Sequence, residues 1–226
     1  MNRRCVGSQN RWLSRAVFVL VLCVMSGVAM TAMAEGKWEK VGNNDGVLVS
    51  KKEVEGSDLL AFRGVVVHDV PIGKVMATFL DEKQRSKWVD RYESHTTFKK
   101  SATSQTYRIH FKLPFPISDR DYVLRSDLVL KPEKKTVMIK IKSVKHPKGP
   151  ENDCCVRAEA YGTYYKFEGL DGGKTRLTVE VHTNPKGLLP DWLINSIQED
   201  WPSKTLNALI KQAKTQKVHP DYADWK

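Results

Sequence analysis

The stretch Thr183–Lys211, TNPKGLLPDWLINSIQEDWPSKTLNALIK, decides how this chain is read. Pro185, Gly187 and Pro190 form a hinge, with Leu188, Leu189 and Trp192 around it, and an amphipathic helix follows. Leu193, Ile194, Ile197, Trp201, Thr205, Ala208 and Leu209 recur at steps of three and four, so they share one face. Asp191 is the expected N-cap, while Asn195, Ser196, Glu199, Ser203 and Asn207 take the other face. Pro202 removes a backbone donor, which predicts a kink or restart between a Trp-bearing half and a Leu-rich half. Most segments upstream read as strands with one apolar face. A single long apolar helix at the end of a strand-rich chain predicts an α+β fold, in which a curved antiparallel sheet wraps around the helix.

Working outward, the sheet is built from alternation. Gly36–Lys52 reads as a hairpin whose tip is Asn43-Asn44-Asp45-Gly46. Leu60, Phe62, Gly64 and Val66 mark a further strand. Pro71 opens a helix to Leu80 with Val75, Met76 and Phe79 inward, and Asp81 caps a short helix from Glu82 to Trp88. Tyr107, Ile109 and Phe111 share one strand face; Tyr122, Leu124 and Ser126 share another, with Arg125 pointing out. Val137, Ile139 and Ile141 follow, and Leu177, Val179 and Val181 close the series after a turn at Asp171-Gly172-Gly173. Short connections predict antiparallel pairing. Between them, Ala158, Ala160, Gly162 and Tyr164 form a face of small residues opposite the helix. Two readings stand: space for a ligand, or close approach of helix to sheet.

The N-terminus is set apart. Arg3, Arg4, Arg11 and Arg15 precede an apolar run from Ala16 to Val28, and Ala32-Met33-Ala34 supplies an A-x-A cleavage pattern. Residues 1–34 therefore read as a secretory signal peptide, 35–214 as one domain, and 215–226 as a polar tail expected to fray. The full chain carries a net charge of +11; without the four leader arginines, 33 basic residues face 26 acidic ones, a net of +7. Lysines clustered between Lys131 and Lys148 suit a solvated sheet face or weak attraction to anionic lipid. No Arg-rich arm or zinc-finger spacing suggests nucleic acid. Cys154 and Cys155 are adjacent, and strand neighbours point to opposite faces, so two packed thiols are expected rather than a disulfide. Six histidines lack H-x-H or H-E-x-x-H spacing, so no metal is expected, and no hydrolase elbow, P-loop or dinucleotide fingerprint occurs. Asp119-Arg120-Asp121 reads as a locally ion-paired turn leading into a strand, and Arg157 with Glu159 as a surface pair.

Four ordered stretches carry a family resemblance: Lys87-Trp88-Val89-Asp90, Ser118-Asp119-Arg120-Asp121-Tyr122-Val123, Val156-Arg157-Ala158-Glu159 on to Gly162, and Pro185 through Asn195. Together they resemble the START (StAR-related lipid transfer) domains of the Bet v 1-like helix-grip superfamily, in a bacterial secreted form. The resemblance implies a nonenzymatic, cofactor-free carrier of one lipid, of sterol, fatty-acyl or phospholipid type. Its hydrophobic tunnel would lie between sheet and helix. The expected lining is Phe79, Tyr107, Ile109, Phe111, Tyr122, Leu124, Ser126, Ile139, Ala158, Ala160, Tyr164, Val179, Leu193, Ile197 and Trp201. The expected gate is Pro185, Gly187, Leu188, Leu189, Pro190 and Trp192. Tyr107, Ser126 and Tyr164 offer hydrogen bonds to a hydroxyl or ester, and no buried Arg is expected for a phosphate. A monomer touching membranes transiently, working in the periplasm, completes this reading. The alternative is a cyclase- or hydrolase-like enzyme acting on a hydrophobic substrate on the same scaffold.

Overall fold

Residues 36–225 are described by the structure, a computed structural model; the expected leader lies outside them. Ten strands and three helices follow one another. The first group is β1 (Glu39–Asn44), β2 (Val47–Val54), β3 (Ser57–His68), α1 (Ile72–Leu80) and α2 (Arg85–Trp88). Next come β4 (Tyr92–Lys100), β5 (Ser104–Phe111), β6 (Asp119–Lys131), β7 (Thr136–Ser143) and β8 (Cys155–Arg157). The chain continues through β9 (Glu159–Leu170), β10 (Lys174–Asn184) and α3 (Asp191–Ala213). The sheet runs β1-β2-β3-β10-β9-β7-β6-β5-β4, with every neighbouring pair antiparallel; short β8 adds a parallel pairing to β6. This is the helix-grip architecture: one large antiparallel sheet packed against the C-terminal helix.

Local chemistry explains most boundaries. Asp45 and Gly46 both have positive φ (52° and 84°), as a tight two-residue hairpin requires. The Asp81 carboxylate accepts from the Lys83 N–H and starts the turn before α2. β4, which alternation did not reveal, is polar and lysine-tipped, suiting its place at a sheet edge.

The core forms where the second half of α3 meets the sheet. Leu206, Leu209, Ile210 and Ala213 pack with Val47, Val49 and Phe62 and with Ile72, Val75 and Met76 of α1. Gly64 sets the approach distance: a Cβ there would sit 2.7 Å from the Pro202 Cβ and 3.1 Å from Val47. Close packing therefore belongs to β3, not to the small residues of β9. Pro202 does not break α3, which continues through it to Ala213.

Other expectations change. Pro190 occupies the cap and Asp191 is the first helical residue, without a side-chain cap bond. Ser203, expected outside, is buried. Cys154 and Cys155 form a disulfide: Cys154 lies in a turn before β8, so strand alternation does not separate the pair. Asp121 is buried and bridges two strands, meeting Arg108 at 2.6 Å and Arg157 at 2.9 Å, so its pairing is not local. Glu159 pairs with Lys186 instead of Arg157. The C-terminal segment packs back rather than fraying. Tyr222 is buried, His219 N–H donates to the Gly73 carbonyl, and Trp225 rests on the core.

Candidate functional site

Beyond the packed half of α3 the sheet curves away and leaves a cavity of about 300 Å³, at the lower end of the range for ligand pockets. Its walls come from β5, β6, β7, β9 and β10, from α2, and from the first half of α3. Phe79, Tyr107, Ile109, Phe111, Tyr122, Leu124, Ser126, Ile139, Ala160, Ile197 and Trp201 line it, as the sequence predicts. Phe79 centres an aromatic cluster, with ring centroids 5.2 Å from Trp88, 4.9 Å from Tyr165 and 5.2 Å from Phe167.

Four expected positions fall elsewhere. The register between β9 and β10 shifts at His182/Thr183, where Ala160 and Gly162 become partners of consecutive residues. That bulge inserts one residue and inverts the alternation. Thr163 and Tyr165 therefore line the cavity, Tyr164 turns to the outer face beside Glu180, and Gly162 is exposed. Ala158 is buried at the break between β8 and β9, away from the lumen. Val179 is fully buried in the core and does not line the cavity. Leu193 is displaced by Ile194, because the inward face of α3 runs through Ile194, Ile197, Gln198 and Trp201.

The loop before α3 divides in two. Pro185 and Leu189 contribute to the cavity wall, whereas Leu188 is fully exposed and Trp192 is 71% exposed. Pro190 caps the helix, and Gly187 takes φ +78°. Phe115, on the β5–β6 loop, is also fully exposed. The two loops are joined by Arg120, a buried side chain of β6. Its Nε donates to the Pro185 carbonyl at 2.7 Å, Nη2 to Lys186 at 2.9 Å, and Nη1 to Ser118. Desolvation pulls the Arg120 pKa down, with Tyr122 and Asp119 opposing it.

Polar groups missed in the sequence reading sit among the apolar ones. Arg85 reaches the cavity from α2, its guanidinium 4.7 Å from the centroid of the Tyr107 ring. Its Nη2 donates to Gln105 Oε1 at 3.0 Å. Gln105 in turn donates to Glu82 at 2.6 Å, and Lys100 and His95 also hold that carboxylate. Burial pushes the Glu82 pKa up, but these bonds win and lower it to about 2. Arg85 Nη1 and Trp88 Nε1 are buried with no hydrogen-bond partner among the described residues. One turn apart on α2, the two residues share a face, and that spacing was the signal available for Arg85. Arg120 was legible too, two positions before Tyr122 on the same strand face. Burial raises the Tyr107 pKa, and it carries that of Tyr122 up to about 12 against a lowering bond from Thr183. Among the described residues no group of three or more His, Cys, Asp or Glu side chains is placed to hold a metal ion.

Comparison with known proteins places this architecture. The START domain family model matches residues 22–216. This chain belongs to the START domain family. An uncharacterized protein of Pseudomonas aeruginosa is 29% identical over 190 residues, covering 83% of this chain and 92% of its own. Mouse phosphatidylcholine transfer protein is 26% identical over 186 residues, covering 80% and 85%. Human StAR-related lipid transfer protein 5 superposes with a TM-score of 0.73 at 22% identity, over 81% of this chain and 88% of that one, a likeness of fold. Family membership supports a lipid-binding or lipid-transport role for this START domain, and the mouse relative is named as a phosphatidylcholine transfer protein.

Proposed function

We propose that the protein is a nonenzymatic carrier of one phospholipid, with the phosphate held against Arg85 and the acyl chains in the apolar lumen. The observation that carries this reading is the unpartnered Arg85 Nη1. The half-buried Arg85 guanidinium, oriented by Gln105 and Tyr107, keeps its buried Nη1 donor open beside a largely apolar lining. A charged donor left unmade in such a place is costly, and a phosphate oxygen meets it with a charge-assisted bond. This reading departs from the expectation that no buried Arg serves a phosphate. Kinship with a phosphatidylcholine transfer protein supports the same ligand class.

A sterol offers one neutral hydroxyl, a weaker acceptor for the open Arg85 Nη1 than a phosphate oxygen. A sixteen-carbon chain needs roughly 12 kcal/mol of shielding from water, at about 0.8 kcal/mol per methylene. The lumen supplies apolar contact for it, and the Pro185–Pro190 loop, widening as the ligand enters, supplies the gate. Phe115, Leu188 and Trp192 are the side chains that would enter a bilayer while the gate exchanges its lipid. The basic and apolar leader supports the periplasm as the place of work.

The test is native mass spectrometry of the protein purified from its own envelope, followed by extraction. One phospholipid per chain is expected. A bound sterol, or an empty protein that takes up no phospholipid from vesicles, overturns the reading.

A further inference from the structure

Gln198 is buried to 5% exposure on the cavity side of α3, in the middle of a surface that is otherwise largely apolar. Its orientation is fixed by chemistry. The Thr183 backbone N–H, a donor only, points at one end of the amide at 3.1 Å, so that end is the oxygen. The Thr183 hydroxyl donates to the same oxygen at 3.2 Å. The Nε2 end therefore carries two N–H donors, and it has no partner among the described residues. Two Thr183 donors on one oxygen polarise the amide and strengthen its Nε2 end as a donor.

We infer that Gln198 Nε2 is a second anchor for the ligand and binds the carbonyl oxygen of an acyl ester. This rests on the phospholipid reading and deepens it. The choice of acceptor follows from charge. Gln198, Thr183 and Tyr122 are neutral and suit a neutral acceptor, whereas an anionic oxygen gains more at the Arg85 guanidinium. A phospholipid presents both, its ester carbonyls a few bonds from its phosphate. Gln198 thus selects ester-linked over ether-linked lipid of the same length. It also ties ligand occupancy to the strand end that leads into the gate, because its other end holds Thr183.

The probes are dipalmitoyl phosphatidylcholine and its dihexadecyl ether analogue, each bound by the full mature protein. Wild type binds the ester about tenfold more tightly, the effect of one buried hydrogen bond. Gln198→Leu brings the two within twofold, while Arg85→Met weakens both and keeps their ratio. Equal affinities in wild type, or a preference that survives in Gln198→Leu, overturn the inference and leave the carrier standing. Failure of wild type to bind either lipid overturns the phospholipid reading, and this anchor with it. A measurement that needs no variant uses a ¹³C-labelled ester carbonyl. Its infrared band in the wild-type complex lies below its position in dry hydrocarbon; a band at the hydrocarbon position overturns the assignment.

Discussion

Arg120 and Gly187 sit so close that a Cβ on the glycine would lie 3.2 Å from the Arg120 Nη2. The same guanidinium holds the carbonyls of Pro185 and Lys186, the two residues that lead into Gly187. Gly187 also has φ +78°, a conformation that costs another residue roughly 1–2 kcal/mol. Gly187→Ala is therefore expected to loosen the loop and speed lipid release. Dequenching of a self-quenched fluorescent phospholipid measures that rate, and an unchanged rate rules out the loop as the gate.

Arg85→Met is expected to weaken phospholipid binding roughly 10- to 100-fold, the range for a hydrogen bond to a charged group. Titration with a fluorescent phosphatidylcholine measures this, with thermal unfolding as the control for folding. Wild-type affinity in the variant would remove the phosphate from Arg85.

Ala160→Trp is expected to fill the lumen and abolish binding while the protein still melts cooperatively. Gly162→Val, two residues on but turned outward with open space at its Cβ, is expected to leave binding intact. Simple alternation puts both residues on one face; loss of binding in both would place the bulge elsewhere.

Serine at Phe115, Leu188 and Trp192 together is expected to slow transfer between vesicles at least tenfold without altering equilibrium affinity. Each side chain gives up roughly 1.5–3 kcal/mol of apolar burial in the membrane. Equal transfer rates would take bilayer contact away from this pair of loops.

Glu82 sets an acid limit. Its folded-state pKa, about 2, lies below the ordinary 4.5, so its ionised form stabilises the fold above pH 4.5. That contribution fades as pH falls from 4.5 towards 2. Urea unfolding of wild type and Glu82→Gln should show a stability gap at pH 6 that narrows steadily below pH 4.5. A gap independent of pH would mean that the carboxylate charge is not what holds Lys100 and His95.

Much of this was legible in the chain. The inward faces of β5, β6 and β7 follow from alternation alone because those strands have no bulge before the cavity. Ile197 and Trp201 follow from helical spacing. Tyr164 failed because one inserted residue in β9 inverts parity, and no side chain there announces it. Gln198 failed for a different reason. A glutamine on a helix reads as surface until the strand beside it is known to supply a donor, and Thr183 does so only after β10 has docked. The C-terminal segment looked polar because its two anchors, Tyr222 and Trp225, are few among charges.

Pro202 gives α3 a pivot. It lacks an N–H, so the Gln198 carbonyl loses the donor that an α-helix would supply four residues on. Pro202 is also the residue seated against Gly64, while the helix beyond it is clamped into the core. Residues 191–201 form an arm roughly 16 Å long, and a rotation of about 20° carries its tip some 5–6 Å. On the carrier reading, such a swing would draw Gln198 away from Thr183 and Leu189 away from the wall. Uncovering the lumen and letting go of an ester would then be a single stroke of one arm.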